Sequence, residues 1–159
     1  MAGHQLAQVN VARLRHPVDD PRLRPFFDAL ARVNKAADAA PGFVWRHQDP
    51  NGHLRGGTLL GDDRMVINMS VWESYPAMHA FVYRAIHGRY LRRRAEWFER
   101  VAPPYIALWW VPEGTRPTPE DALTRWRYLC AHGPTPQVFT VRTRFDEHGR
   151  RERVTPPPR

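Results

Sequence analysis

The chain has 159 residues, a 42% share of hydrophobic side chains, a net charge of +8 and a single cysteine. That suits one domain with a true core and excludes wholesale disorder, and no apolar run reaches the ~20 residues a membrane-spanning helix needs. Cys130 stands alone, which excludes an intrachain disulfide and a cysteine-rich zinc module.

His4 to Arg13 alternates weakly and predicts a strand, with Leu6, Gln8 and Asn10 on one face and Ala7, Val9 and Val11 on the other. The stretch Met1 to Asn10 has no charged start followed by an apolar block, so no secretory signal is expected and the cytoplasm is the default location. Asp20-Pro21 reads as a helix cap and first helical residue. Leu23, Phe26, Phe27, Leu30, Val33 and Ala37 follow at helical spacing, with Pro25 expected to kink the first turns. Pro41-Gly42 ends that helix. Phe43 to Gln48 predicts a second strand, and Asp49-Pro50-Asn51-Gly52 a turn. His53 to Asp63 reads as a glycine-bearing loop with a short strand at Thr58 to Leu60. Arg64 to Trp72 is the clearest strand, with Met65, Ile67, Met69 and Val71 on one face and Val66, Asn68, Ser70 and Trp72 on the other.

Ser74 caps a long helix whose stripe is Met78, Phe81, Val82, Ala85 and Ile86, continued past Gly88 by Leu91, Ala95 and Phe98. Pro103-Pro104 stops it. Tyr105 to Val111 predicts a fourth strand. Thr118-Pro119-Glu120-Asp121 opens a third helix that buries Leu123, Trp126 and Leu129 and closes at His132-Gly133-Pro134. Gln137 to Phe145 could add one strand. The expected division is a domain over 1–139 and a basic, proline-rich, flexible tail over 140–159.

The first six elements run β-α-β-β-α-β, the split βαβ, ferredoxin-like unit. In that unit the first and third strands are the central pair and both helices cover one face of the sheet. The expectation is that the aliphatic sets lie under the helices. Gln8, Asn10, Asn68, Ser70 and Trp72 would then share the bare second face, joined by aromatic groups such as Trp45 and Trp109 from the outer strands. The phase of those outer strands is open, because both are apolar on both sides. Amides beside indoles suit a cavity lining with a few convergent polar groups; a homodimer seam is the alternative.

His79, Tyr83, His87 and Tyr90 form a second stripe on the long helix. His79 and His87 lie two turns apart, roughly 12 Å, too far to chelate one ion, and no metal site is expected. Either could move a proton near neutral pH. No nucleophile motif, phosphate loop or dinucleotide fingerprint appears. The charge is almost wholly arginine, since Lys35 is the only lysine. A coding bias explains it; attraction of an anionic small molecule or of nucleic acid is the alternative, and Arg92-Arg93-Arg94 reads as a solvated face.

The segment Val66-Ile67-Asn68-Met69-Ser70-Val71-Trp72-Glu73-Ser74, followed by Phe81-Val82-Tyr83-Arg84 and His87, resembles the antibiotic-biosynthesis monooxygenase-like superfamily. Within it, the blocks Leu6 to Val11, Asp38 to Arg46, Arg92 to Phe98, Leu108 to Pro112 and Ala131 to Pro136 resemble the family known as domain of unknown function 3291. The resemblance runs from Gln5 to Phe139. It implies a dimeric α+β barrel in which two sheets pack face to face, with a pocket in each protomer. Some superfamily members oxidise aromatic polyketides with dioxygen and neither metal nor flavin, and in them a first-strand asparagine, matched here by Asn10, helps hold the substrate. For the haem-degrading branch the match fails: its iron-ligating histidine falls on Leu91 and its helical tryptophan on Phe81, so haem is not expected.

These readings give a small-molecule enzyme, with cofactor-independent oxidation of an aromatic or polyketide-like substrate as the leading form. Asn10, His79 and His87 are its catalytic candidates. Gln8, Trp45, Asn68, Ser70, Trp72, Tyr83 and Trp109 are the substrate-binding candidates. The alternatives are a non-catalytic ligand-binding homodimer of the same fold and, third, arginine-mediated nucleic-acid binding.

Overall fold

The computed structural model describes residues 3–48, 54–55, 61–87, 93–100 and 104–153, of which 54–55 and 85–87 are described as backbone alone. In chain order the elements are β1 (His4–Arg13), a 3-10 turn (Pro21–Leu23), α1 (Arg24–Asp38), β2 (Phe43–Arg46), β3 (Leu54–Arg55), β4 (Met65–Trp72), α2 (Tyr75–His87), α3 (Arg94–Trp97), β5 (Ile106–Pro112) and α4 (Pro119–His132). The sheet is antiparallel in the order β2-β4-β1-β5, with β3 also pairing β4. Taking the four main strands in sequence, this is the ferredoxin-like order predicted from the element pattern, and the chain is an α+β protein.

Local chemistry explains most of the boundaries. The Asp20 carboxylate accepts the Arg22 N–H at 2.9 Å, which starts the 3-10 turn with Pro21 at its first position. Pro25 does not kink a helix: α1 begins only at Arg24, so Pro25 sits in the first turn, where an N–H has no intrahelical partner to lose. Gly42 has φ +79°, and a Cβ there would lie 2.5 Å from Ala77 Cβ, so this one position needs glycine both for the turn and for the approach of α2. Ser74 Oγ accepts the Ala77 N–H at 3.3 Å, and Thr118 Oγ1 accepts the Asp121 N–H at 3.2 Å, as their capping patterns predict.

The two faces of the sheet are clothed opposite to expectation. The aliphatic residues Ala7, Val9, Val11, Ile67, Met69 and Val71 pack with Ala122, Leu123 and Leu129 of α4. The face that carries Leu6, Leu14, Val66 and Trp72 receives α1 and α2: Phe26 packs with Leu14, and Met78, Phe81 and Val82 pack around Trp72 and Leu6. Alternation shows that two faces differ. It does not show which one takes the crossover helices, and here each face has its own cover.

The segment expected to form a tail over 140–159 is described as far as Arg153. At Phe139 and Phe145 the chain is held against β5, and beyond them it folds back on itself through the Phe145–Arg151 bridge. Phe139 exchanges both backbone hydrogen bonds with Leu108, at 2.8 and 2.9 Å, as an isolated bridge and not as a full strand. Its ring is 1% exposed and completes the Leu6–Trp72–Leu108 cluster. Trp110 Nε1 donates to the Phe145 carbonyl at 2.8 Å. The short strand expected at 58–60 lies outside the described residues.

Candidate functional site

The register of the central strands builds the site. On one face, Leu6 stands opposite Trp72, Gln8 opposite Ser70, Asn10 opposite Asn68 and Ala12 opposite Val66. On the other flank of β1, Gln8 faces Leu108 and Asn10 faces Ile106. The result is a polar band across the middle of a helix-covered face. One apolar cluster, around Trp72 and Phe81, bounds it at one end; a second, around Leu14, Phe26 and Trp97, bounds it at the other.

The band is wired by its own hydrogen bonds. Trp72 Nε1 donates to Ser70 Oγ at 2.9 Å, and Gln8 Nε2 donates to the same oxygen at 2.8 Å and to Asn68 Oδ1 at 3.3 Å. Gln8 is 7% exposed and Ser70 6%, so this part is fixed inside the protein. Asn68 is exposed and Asn10 half-buried, although both sit on the two central strands. Among the described residues, neither the Asn10 amide nor the Asn68 amide nitrogen has a hydrogen-bond partner from the protein. A helix layer that rests on the apolar ends of a sheet face leaves its polar middle open, and the exposure of Asn68 marks that opening.

Five sequence candidates therefore come together: Gln8, Asn10, Asn68, Ser70 and Trp72. The indole of Trp72 is not an open stacking platform. It is 1% exposed, stacked on Phe81 at 5.3 Å and edge-on to Phe43 at 5.4 Å, so it forms a wall and holds Ser70. Phe81 and Ile106 are the neighbours that sequence reading did not assign to the site. Helical spacing marked Phe81 as core, and only the register places Ile106 beside Asn10.

The remaining candidates are elsewhere. Trp109 pairs with Ala7 on the opposite face, fully buried against α4, with its Nε1 lacking a hydrogen-bond partner among the described residues. Trp45 packs on that same face. His79 is exposed on α2, its ring stacked on Tyr75 at 5.6 Å and next to Tyr83 at 6.0 Å. Tyr83 is 56% exposed. The His87 side chain and Leu91 lie outside the described residues, as do Gly56 and Gly57. The expectation that the amide face is bare of helices is overturned, because α1 and α2 of the same chain rest on its two apolar ends. Among the described residues no group of three or more His, Cys, Asp or Glu side chains could hold a metal ion, and no helix is long and apolar enough to cross a membrane.

The sequence profile of the family described as "Domain of unknown function (DUF3291)" matches residues 5–155. The chain belongs to this family. The match extends past residue 139 through the segment that Phe139 and Phe145 anchor, so the packed C-terminal run is part of the family's domain. No curated protein matches the chain. Two solved structures are similar to it. One is a protein from Nitrosomonas europaea named as a "putative antibiotic biosynthesis monooxygenase", 16% identical, with a TM-score of 0.39 over 72% of this chain and 92% of its own. The other is SnoaB, a cofactor-independent oxygenase from Streptomyces nogalater, 15% identical, with a TM-score of 0.37 over 74% of this chain and 98% of its own.

Proposed function

We propose that the Gln8–Asn10–Asn68–Ser70 band is the floor of a small-molecule site, and that the protein is a monooxygenase-like enzyme acting on an aromatic or polyketide-like substrate without a cofactor. The observation that carries this reading is the exposure of Asn68 on a central strand, with amide hydrogens that no described residue accepts. An exposed amide is met by water until a ligand displaces it, and amides set between apolar walls suit a small-molecule pocket.

Asn68 and Asn10 would hold the oxygen of an enolate or phenolate as charge grows on it. The substrate supplies the electrons. In the balanced form a ring CH2 becomes a carbonyl, one oxygen atom of dioxygen enters the product, and the other leaves as water with the two hydrogens. None of the four band residues, nor Trp72 beside them, ionises near neutral pH, so the substrate must itself be readily deprotonated or give its proton to a base outside the band. That same fact favours one second reading, a pocket that binds such a compound without turning it over.

Oxygen uptake with a panel of phenols and anthrones separates the two. Uptake by the native protein that is lost in Asn68→Ala and reduced in Asn10→Ala supports oxidation. A compound that binds unchanged, with no product by mass spectrometry, supports the second reading. Uptake indifferent to both substitutions contradicts the proposed site.

A further inference from the structure

The hydrogen bonds inside the band have a direction, and the direction selects the ligand. Ser70 Oγ accepts from two groups that can only donate: the Trp72 indole N–H and the Gln8 amide nitrogen. A hydroxyl oxygen has two lone pairs and one hydrogen, so its acceptor capacity is used and its O–H is left to donate. Gln8 Nε2 spends both of its hydrogens, on Ser70 Oγ and on Asn68 Oδ1. With Oδ1 turned towards Gln8, the Asn68 amide presents its NH2 to the opening. The oxygens of Ser70 and Asn68 are engaged inward; Ser70 is itself buried, so what the band offers a guest at its exposed position, Asn68, is hydrogen.

Resting on the small-molecule site proposed above, we infer that the band is a hydrogen-bond donor site for the carbonyl or oxyanion of a flat aromatic ligand, and that Gln8 is the positioning residue that sets this polarity. Gln8 is buried beneath Asn68 and acts on the guest through it. The apolar ends of the face, with Ile106 beside Asn10, supply the walls for the rest of such a ligand. A ligand that only donates would meet the NH2 of Asn68 and be left to the carbonyl of the half-buried Asn10 amide, a poorer match than a ligand that accepts from both asparagines.

Reversing the polarity tests the inference. In Gln8→Glu the carboxylate can only accept. Ser70 O–H and the Asn68 NH2 then turn inward to it, and Asn68 presents Oδ1 instead. Asn68→Asp makes the same change at an exposed position, where folding is not at stake. The probes are 9-fluorenone (an acceptor), fluorene (neither) and 2-aminofluorene (chiefly a donor), three compounds of one ring skeleton, titrated by calorimetry with the full chain. The native protein should bind fluorenone at least about ten-fold more tightly than fluorene, and 2-aminofluorene no more tightly than fluorene. In Asn68→Asp, and in Gln8→Glu at mildly alkaline pH, the order of ketone and amine should reverse. An unaltered preference in the folded Asn68→Asp variant overturns the inference, as does tighter binding of the amine by the native protein. Equal affinity for all three probes also overturns it, while leaving the small-molecule site itself standing. No binding of any probe overturns both.

Discussion

Ser70→Ala combined with Trp72→Phe forms a cycle that reads the central junction of the site. Alanine at 70 removes the acceptor of two donors at once: the Trp72 N–H, on a side chain 1% exposed, and one hydrogen of Gln8, 7% exposed. Each buried donor left without a partner costs about 1–3 kcal/mol, so the single change should cost about 2–4 kcal/mol. Phenylalanine at 72 has no N–H to satisfy. In that background Ser70→Ala orphans Gln8 alone and should cost about 1–2 kcal/mol, which leaves a coupling of about 1–2 kcal/mol between the two positions. Urea unfolding followed by far-ultraviolet circular dichroism measures all four proteins, and a total stability of about 5–15 kcal/mol leaves room for the loss. Additivity within about 0.3 kcal/mol would refute the claim that Ser70 is the shared acceptor.

Four further outcomes follow from the same structure. Trp109→Phe should cost about 1–2 kcal/mol less than Trp72→Phe in the same urea experiment, because the Trp109 Nε1 it removes is already without a partner among the described residues. Phe139→Ala should cost about 3–5 kcal/mol, since the ring is fully enclosed with Trp72 and Leu108; a cost typical of an exposed side chain would show that the C-terminal run is not part of the core. Asp62 is held below the usual carboxylate range, first by the hydrogen bond from Arg13 at 2.7 Å and then by the Arg64 N–H. A depressed carboxylate stabilises the fold above its unfolded value of about 3.9 and loses that contribution as the pH falls through the folded value. The melting temperature of Asp62→Asn should therefore lie below that of the native protein between about pH 5 and 8, with the gap closing in stronger acid. Asn68→Ala should lower stability in the urea experiment by no more than about 0.5–1.5 kcal/mol, the loss of the one long hydrogen bond from Gln8, while abolishing the preference for fluorenone over fluorene.

Much of the fold is legible in the residues, because strands and caps are local. The alternation from His4 to Arg13, the Thr118 cap and the β-α-β-β-α-β order all carry through to the structure. What the sequence leaves open is the partner of each face. Periodicity suggests that a helix layer demands the aliphatic side, yet α1 and α2 need only the apolar rows at the ends, Leu6 with Trp72 and Leu14 with Val66. The amides between those rows cost nothing so long as they bond to one another or to a guest. The aliphatic side is left for α4, a helix outside the six-element unit. The site is half legible for a related reason. Gln8, Asn10, Asn68 and Ser70 stand out as polar groups within apolar strands, and the antiparallel register brings them together. Trp45 and Trp109 lie on strands that are apolar on both sides, so their phase is open in the sequence, and the observed phase puts them on the far side. The direction of the Gln8–Ser70 bond has no sequence signal at all, since it depends on which atoms meet.

The most direct test of the central claim is the side-chain amide and indole nitrogen–proton spectrum of the labelled full chain during titration with 9-fluorenone. The account predicts that the Asn68 and Asn10 NH2 resonances move together and saturate, while the indole resonances of Trp45 and Trp109, on the other side of the sheet, stay in place. Movement of the Trp45 and Trp109 signals with the two asparagines unmoved would contradict it.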